Sequence, residues 1–275
     1  MYIDSHVHFW NYNDREYSWI DDSMASLRRD FLPAELKVHL DSNNISGCIA
    51  VQVRQSEQET HWFLDLAAQN PFILGIVGWV DLRSPNVAHQ LEKFRTNPKL
   101  VGIRHIVQSE PDDFLLDPAF LRGIAVLKDF DFTYDILIYP RQLATAIRFV
   151  EKFPSHRFVL DHLSKPPVRS REIREWAKGI RELAQFPNLF CKLSGLVTEG
   201  DLSVAGIEQF IPYLEIAFES FGPERLMIGS DWPVCTASTS YEVALDASRT
   251  FLQRQSPETQ DAVMGKTAKR FWRLP

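Results

Sequence analysis

The sequence predicts a single (β/α)8 TIM barrel, an α/β fold that occupies residues 1–275 as one domain. Three observations predict it. Eight short apolar runs recur along the chain with stretches of helical spacing between them, the pattern of βα units joined by crossover helices. No Gly/Ser-rich or Pro-rich linker divides the sequence, and a length of about 250 residues is ordinary for one such barrel. Finally, an open doubly wound sheet usually carries a glycine-rich turn after its first strand, and none follows here.

The elements follow in order. Ile3–Phe9 is the first strand, and Ile45–Val53 and Ile73–Val80 are nearly continuous apolar runs, as strands covered on both faces should be. Glu57–Gln69 reads as a helix stopped by Asn70-Pro71. Leu100–Val107 and Phe132–Tyr139 are the fourth and fifth strands. Between them, Asp117-Pro118 places an N-cap and a first-turn proline ahead of Phe120, Leu121, Ile124 and Leu127. Arg157–Leu163 and Leu189–Leu196 come next. The helix Leu202–Phe221 then ends at Gly222-Pro223, and Leu226–Trp232 is the eighth strand. Ser256-Pro257-Glu258 opens the last helix. The segment Trp10–Arg29 is long and aromatic, and is expected to be a lid rather than a connector.

Composition narrows the function. The chain is 45% hydrophobic and carries a net charge of −6 with no basic block, so a nucleic-acid partner is not expected. Its longest apolar run, Phe72–Val80, is far short of the ~20 residues that span a bilayer. The N-terminus lacks the basic and apolar regions of a signal peptide. Cys48, Cys191 and Cys235 are widely separated and odd in number, which points to a reducing, cytoplasmic setting without structural disulfides. No heptad or exposed apolar stripe indicates an oligomeric state.

In a barrel the chemistry sits at the C-terminal ends of the strands. Strict alternation along the first strand puts Asp4, His6 and His8 on one face and Ile3, Ser5, Val7 and Phe9 on the other. Two imidazoles so placed either bind a metal, polarise a carbonyl together, or are hydrogen-bonded structural histidines. In the eighth strand the same parity groups Met227, Gly229 and Asp231 against Leu226, Ile228 and Trp232. Closure of the ring would bring Asp231 beside His6 and His8, where a carboxylate can act as a general base; otherwise it caps the following turn. His162, at the end of the sixth strand, is a third ligand, a hydrogen-bond donor or a satisfied barrel histidine. Lys165 beyond it either holds an anionic or hydroxylated group or is solvated.

Five segments occur in one order: Ile3–Trp10 (IDSHVHFW), Val101–Gln108 (VGIRHIVQ), Phe158–Pro167 (FVLDHLSKPP), Cys191–Leu196 (CKLSGL) and Ile228–Pro233 (IGSDWP). Together they resemble the amidohydrolase superfamily, in its amidohydrolase-2-type branch of sugar-lactone hydrolases of the L-fuconolactonase and L-rhamnonolactonase kind. The resemblance runs from the first strand to the terminal Ala268–Leu274. It implies that His6, His8, His162 and Asp231 are catalytic, and that these same four would ligate a metal if one is bound. Binuclear members carry a lysine in the fourth strand and metal-rich ones a histidine in the fifth. Neither is present here, which leaves one divalent ion, Zn²⁺ first, or none.

Gln52, Arg104, His105, Gln108, Asp135 and Tyr139 lie at or near strand ends and suit a hydroxylated ligand. Arg104 makes either a bidentate contact to substrate or an ion pair with a barrel carboxylate. Trp79 and Trp232 either stack on a sugar ring or pack in the core. Cys235 lies near the mouth with no partner base in its local sequence. The expected activity is hydrolysis of an aldonic-acid lactone, with Asp231 as base on water and His6, His8 and His162 stabilising the carbonyl oxygen. The expected substrate contacts are Arg104, His105, Gln52, Lys165, Trp232 and Tyr139. Two rivals are a decarboxylase of the same superfamily acting on an aromatic or unsaturated acid, and a non-catalytic ligand-binding barrel.

Overall fold

A computed structural model describes all 275 residues. Eight parallel strands form one sheet in sequential order: β1 Ile3–Val7, β2 Gly47–Val51, β3 Ile73–Gly78, β4 Leu100–Ile106, β5 Thr133–Leu137, β6 Phe158–Leu160, β7 Leu189–Leu193 and β8 Leu226–Ile228. Each lies inside one of the apolar runs. The ring closes between β8 and β1, where the Asp231 N–H donates to His6 O (2.9 Å) and the His8 N–H to Trp232 O (2.7 Å).

The local signals between strands act as their chemistry requires. The helix after β2 spans Glu57–Gln69. Asp117 caps Pro118–Leu127 by accepting the Ala119 and Phe120 N–H groups. The long helix before β8 is broken instead: Gly206, with φ +56°, separates Leu202–Ala205 from the turns that lead into Ile211–Phe221. Ser256 caps Pro257–Asp261. Beyond it, Phe271, Trp272 and Leu274 join Ile3, Val51 and Met227 in the barrel's inner cluster, so the C-terminus plugs the bottom of the ring.

Two local departures from strand alternation shape the site. In β1, Ile3 pairs with Gly47 and Asp4 with Cys48, but Val7 pairs with Ala50; one extra residue is accommodated between Asp4 and Val7. Ile3 therefore joins the inner cluster while Asp4 turns outward to accept the Tyr241 hydroxyl (3.0 Å) and the Ser230 N–H (2.9 Å). Asp4 does not share the face of His6, contrary to the alternation rule. In β6 the strand stops at Leu160. His162, Leu163, Ser164 and Lys165 follow with φ between +51° and +58°, a left-handed turn of four non-glycine residues. Such residues cost about 1–3 kcal/mol each and persist where the surroundings over-determine them.

The Trp10–Arg29 segment packs over the mouth. Trp10 pairs with Phe31, its ring and those of Tyr17 and Phe31 are buried together, and Trp19 and Met24 face the cavity. No helix is long and apolar enough to cross a membrane.

Candidate active site

Each site residue is placed by a recognisable local cause. Alternation in β1 beyond its extra residue points His6 and His8 inward. The left-handed turn after β6 aims both Asp161 and His162 at the barrel axis, where a continuing strand would have sent His162 outward. Gly195 makes room for that imidazole: its φ is +66°, and a Cβ there would lie 2.6 Å from His162 Nδ1. Asp231, three residues beyond the end of β8 and at φ +62°, lies over the axis.

These elements bring His6, His8, His162 and Asp231 together. Asp231 Oδ1 lies 3.3 Å from His8 Nε2, 3.8 Å from His6 Nε2 and 3.9 Å from His162 Nε2. The two first-strand imidazoles approach Nε2 to Nε2 at 3.2 Å. His8 donates from Nδ1 to Val51 O (2.7 Å), since a carbonyl can only accept, and His162 Nδ1 meets Ser194 Oγ (2.8 Å). Burial pushes the His162 imidazole down to about 4 against the upward pull of Asp231 and Asp161. Burial and then Lys192 hold His6 well below the usual histidine range. Burial alone would raise the Asp231 carboxyl, but His162, the His8 hydrogen bond and His6 outweigh it, so Asp231 is held low and ionised.

Beneath them lies a layer of buried charge. Arg104 donates from Nη1 to Asp161 Oδ2 (2.9 Å) and from Nε and Nη2 to Gln52 Oε1 (3.2 and 3.0 Å). Lys192, on β7, contacts Asp135 Oδ2 (2.5 Å), Asp161 Oδ1 (2.9 Å) and His6 Nδ1 (3.2 Å). Of the expected substrate contacts, Arg104, Lys165 and Tyr139 line an open cavity of about 840 Å³ with His8, His162 and Asp231 at its base. A groove of about 900 Å³ between the helices Leu143–Glu151 and Ile173–Leu183 lies outside the barrel and has no histidine on its walls.

The remaining expected contacts are elsewhere. Alternation in β4 turns His105 away from Arg104; its ring stacks on Phe114 (4.8 Å) and bonds Trp79 Nε1 (3.3 Å) and Glu110 (3.0 Å) behind the sheet. Trp232 is fully buried among Phe9, Phe31 and His39, which leaves no face for a sugar. Trp79 is tied to His105 and Thr60 rather than to the cavity. Gln52 is also buried and reaches the site only through Arg104. Cys235 is buried, as are the other two free cysteines, and burial pushes its thiol up, which removes any nucleophilic role.

Sequence reading missed Lys192, Asp161 and Ser194 as parts of this centre. The signal was present for the first two: a charged residue inside an otherwise apolar barrel strand, flanked by Cys191 and Leu193 or following Leu160, needs a buried partner, and here those partners lie at the axis.

The donor set fits one divalent ion. Ligands about 2.0–2.2 Å from a tetrahedral zinc lie ~3.4 Å apart, and the distances around Asp231 Oδ1 are 3.3 to 3.9 Å. His8 and His162 have their Nδ1 atoms engaged, which leaves Nε2 facing the centre. A second trio, His6, Asp161 and His162, shares His6 and His162 with the first, and its Asp161 also pairs with Arg104 and Lys192.

Comparison with known proteins agrees with the geometry. The chain is 40% identical to L-fucono-1,5-lactonase of Burkholderia multivorans, over 99% of this chain and 96% of that one. It is 35% identical to L-fucono-1,5-lactonase of Burkholderia ambifaria, over 84% and 80%. A crystal structure of an amidohydrolase from Burkholderia multivorans with bound zinc superposes over 100% of both chains with a TM-score of 0.96 at 39% identity. The family model described as Amidohydrolase matches residues 3–274. The chain therefore belongs to the amidohydrolase family.

Proposed function

We propose that the protein hydrolyses a sugar lactone, an aldonic-acid lactone such as L-fucono- or L-rhamnonolactone, to the free hydroxy acid. The observation that carries this reading is the Asp231 carboxylate set within 3.9 Å of three imidazole nitrogens at the base of an open cavity. The full-length likeness to two L-fucono-1,5-lactonases supports it. Asp231 accepts a proton from water as the oxygen attacks the lactone carbonyl. Imidazole N–H groups, with the positive charge of the Arg104 guanidinium beside His6, stabilise the charge that grows on the carbonyl oxygen. The tetrahedral adduct then expels the ring oxygen, which takes the proton from Asp231. The same carboxylate thus serves both half-steps and is regenerated.

A bound divalent ion would be held by His8, His162 and Asp231 with His6 as the fourth donor, and would supply Lewis-acid polarisation of the carbonyl. Lys165, paired with Glu199 (3.3 Å), and Tyr139 would meet the sugar hydroxyls at the rim. Three buried, unpaired cysteines suit a cytoplasmic role in carbohydrate metabolism. The test is acid release, read with a pH indicator, from a panel of hexono-1,5- and hexono-1,4-lactones. Turnover of at least one sugar lactone is expected, with no CO₂ from hydroxybenzoates. Acid release from none of them, or CO₂ release, would overturn the reading.

A further inference from the structure

We propose that Glu110 is a specificity-determining residue of the cavity: its carboxylate, held from behind by His105, accepts a hydrogen bond from one ring hydroxyl of the sugar lactone. The assignment deepens the lactonase reading and rests on it for the class of ligand. It starts from three side chains in a row. The Trp79 indole N–H, which can only donate, reaches His105 Nδ1 (3.3 Å), so Nδ1 offers its lone pair and the imidazole proton sits on Nε2. That N–H donates to Glu110 Oε1 (3.0 Å). Burial holds His105 below the usual histidine range although Glu110 pulls it up, so the donor is neutral and the carboxylate keeps its charge.

One oxygen of Glu110 is thereby fixed, and Oε2 has no partner in the protein. The side chain is 29% exposed and lines the cavity that holds His8, His162 and Asp231 at its base. Two other glutamates share that wall, and each is neutralised: Glu16 by Arg54, and Glu199 by Lys165 (3.3 Å). Glu110 has no lysine or arginine partner. It is left with a free oxygen and an uncompensated charge. A hydroxyl brings a donor to such an oxygen without a competing negative charge.

The backbone beneath it is equally fixed. The Glu110 N–H donates to Val107 O (2.9 Å), and the buried Gln142 donates from Nε2 to Val107 O (2.9 Å) and Glu110 O (3.3 Å). A carboxylate pinned through its backbone and one oxygen loses little freedom when a ligand takes the other, which favours a selective contact.

The test compares wild type with Glu110→Gln and Glu110→Ala on a hexono-1,5-lactone that wild type turns over and on its monodeoxy forms. In the glutamine variant the amide oxygen must stay on the His105 N–H, so an NH₂ group replaces the free oxygen without a change of shape. KM should rise by about 5–50-fold in both variants with kcat within about threefold. That rise should vanish on the one deoxy lactone that lacks the partner hydroxyl, whereas a purely structural role would raise KM on all of them alike. An equal rise on every deoxy form, or a KM within about twofold of wild type in folded Glu110→Gln, overturns the proposal. Calorimetric titration with 1,5-anhydrohexitols, which keep ring hydroxyls and have no ester bond, separates this assignment from the lactonase reading. If no lactone is turned over, that reading falls and the titration decides for Glu110. A Kd about 5–50-fold weaker in Glu110→Gln then supports the contact; equal Kd values, or no binding to wild type, overturn it.

Discussion

Replacing Asp231 by Asn is the sharpest perturbation of the proposed chemistry, because the structure separates its chemical cost from its structural one. The residue sits at φ +62°, in the left-handed region that asparagine tolerates better than most side chains. Its backbone contacts, the N–H to His6 O and the carbonyl accepting the Cys235 N–H, both 2.9 Å, do not depend on the side chain. The amide has the same shape, and its oxygen can still accept from an imidazole. What is lost is the negative charge and the proton acceptor. Loss of a general base costs about 10²–10⁴ in rate, or about 3–5 kcal/mol of transition-state stabilisation. The expected outcome is that fall in kcat/KM on the best lactone of the panel, with a thermal midpoint within a few degrees of wild type. Initial rates from pH-indicator acid release, with circular dichroism melts of both proteins, measure it. Activity within tenfold of wild type in a folded variant would show that another group takes the water proton.

Two further predictions address the lid and the floor. Trp19→Ala removes one of the few exposed aromatic side chains, carried by the lid onto the cavity wall; a sugar-stacking face worth about 0.5–1.5 kcal/mol should raise KM by roughly 2–12-fold, with kcat within about twofold, and Michaelis kinetics showing an equal loss in kcat would refute the wall assignment. His156, buried against Phe158 with Nε2 unpartnered, is pushed down to about 4, first by burial and then by Arg157 and Lys128. The unfolded chain takes up its proton near 6.5 while the folded one resists to about 4, so the stability this group contributes is complete above pH 6.5 and lost as pH falls through that window. Urea unfolding at pH 7.5 and 4.5 should show a pH-dependent loss smaller by about 2–3 kcal/mol in His156→Leu than in wild type, and equal losses would refute the assignment.

The sequence determined the barrel because its signals are local and repeated. Each apolar run had to be buried, each capped helix had to cover it, and Asn70-Pro71 or Asp117-Pro118 acts on its immediate neighbours wherever the chain goes. Parity points Asp231 to the face on which it lies, although β8 itself stops at Ile228, and the motif order singles out His6, His8 and His162. Tertiary structure decided what parity could not. The extra residue in β1 turns Asp4 out to Tyr241, and the left-handed turn at His162–Lys165 folds two consecutive polar residues onto one axis. Both are departures from a period of two, fixed by contacts with strands and helices far along the chain. The same holds for Lys192. Its charge is legible in the strand, but its meaning comes from Asp135 on β5, Asp161 just past β6 and His6 on β1, three partners that only closure of the ring places within 3.2 Å.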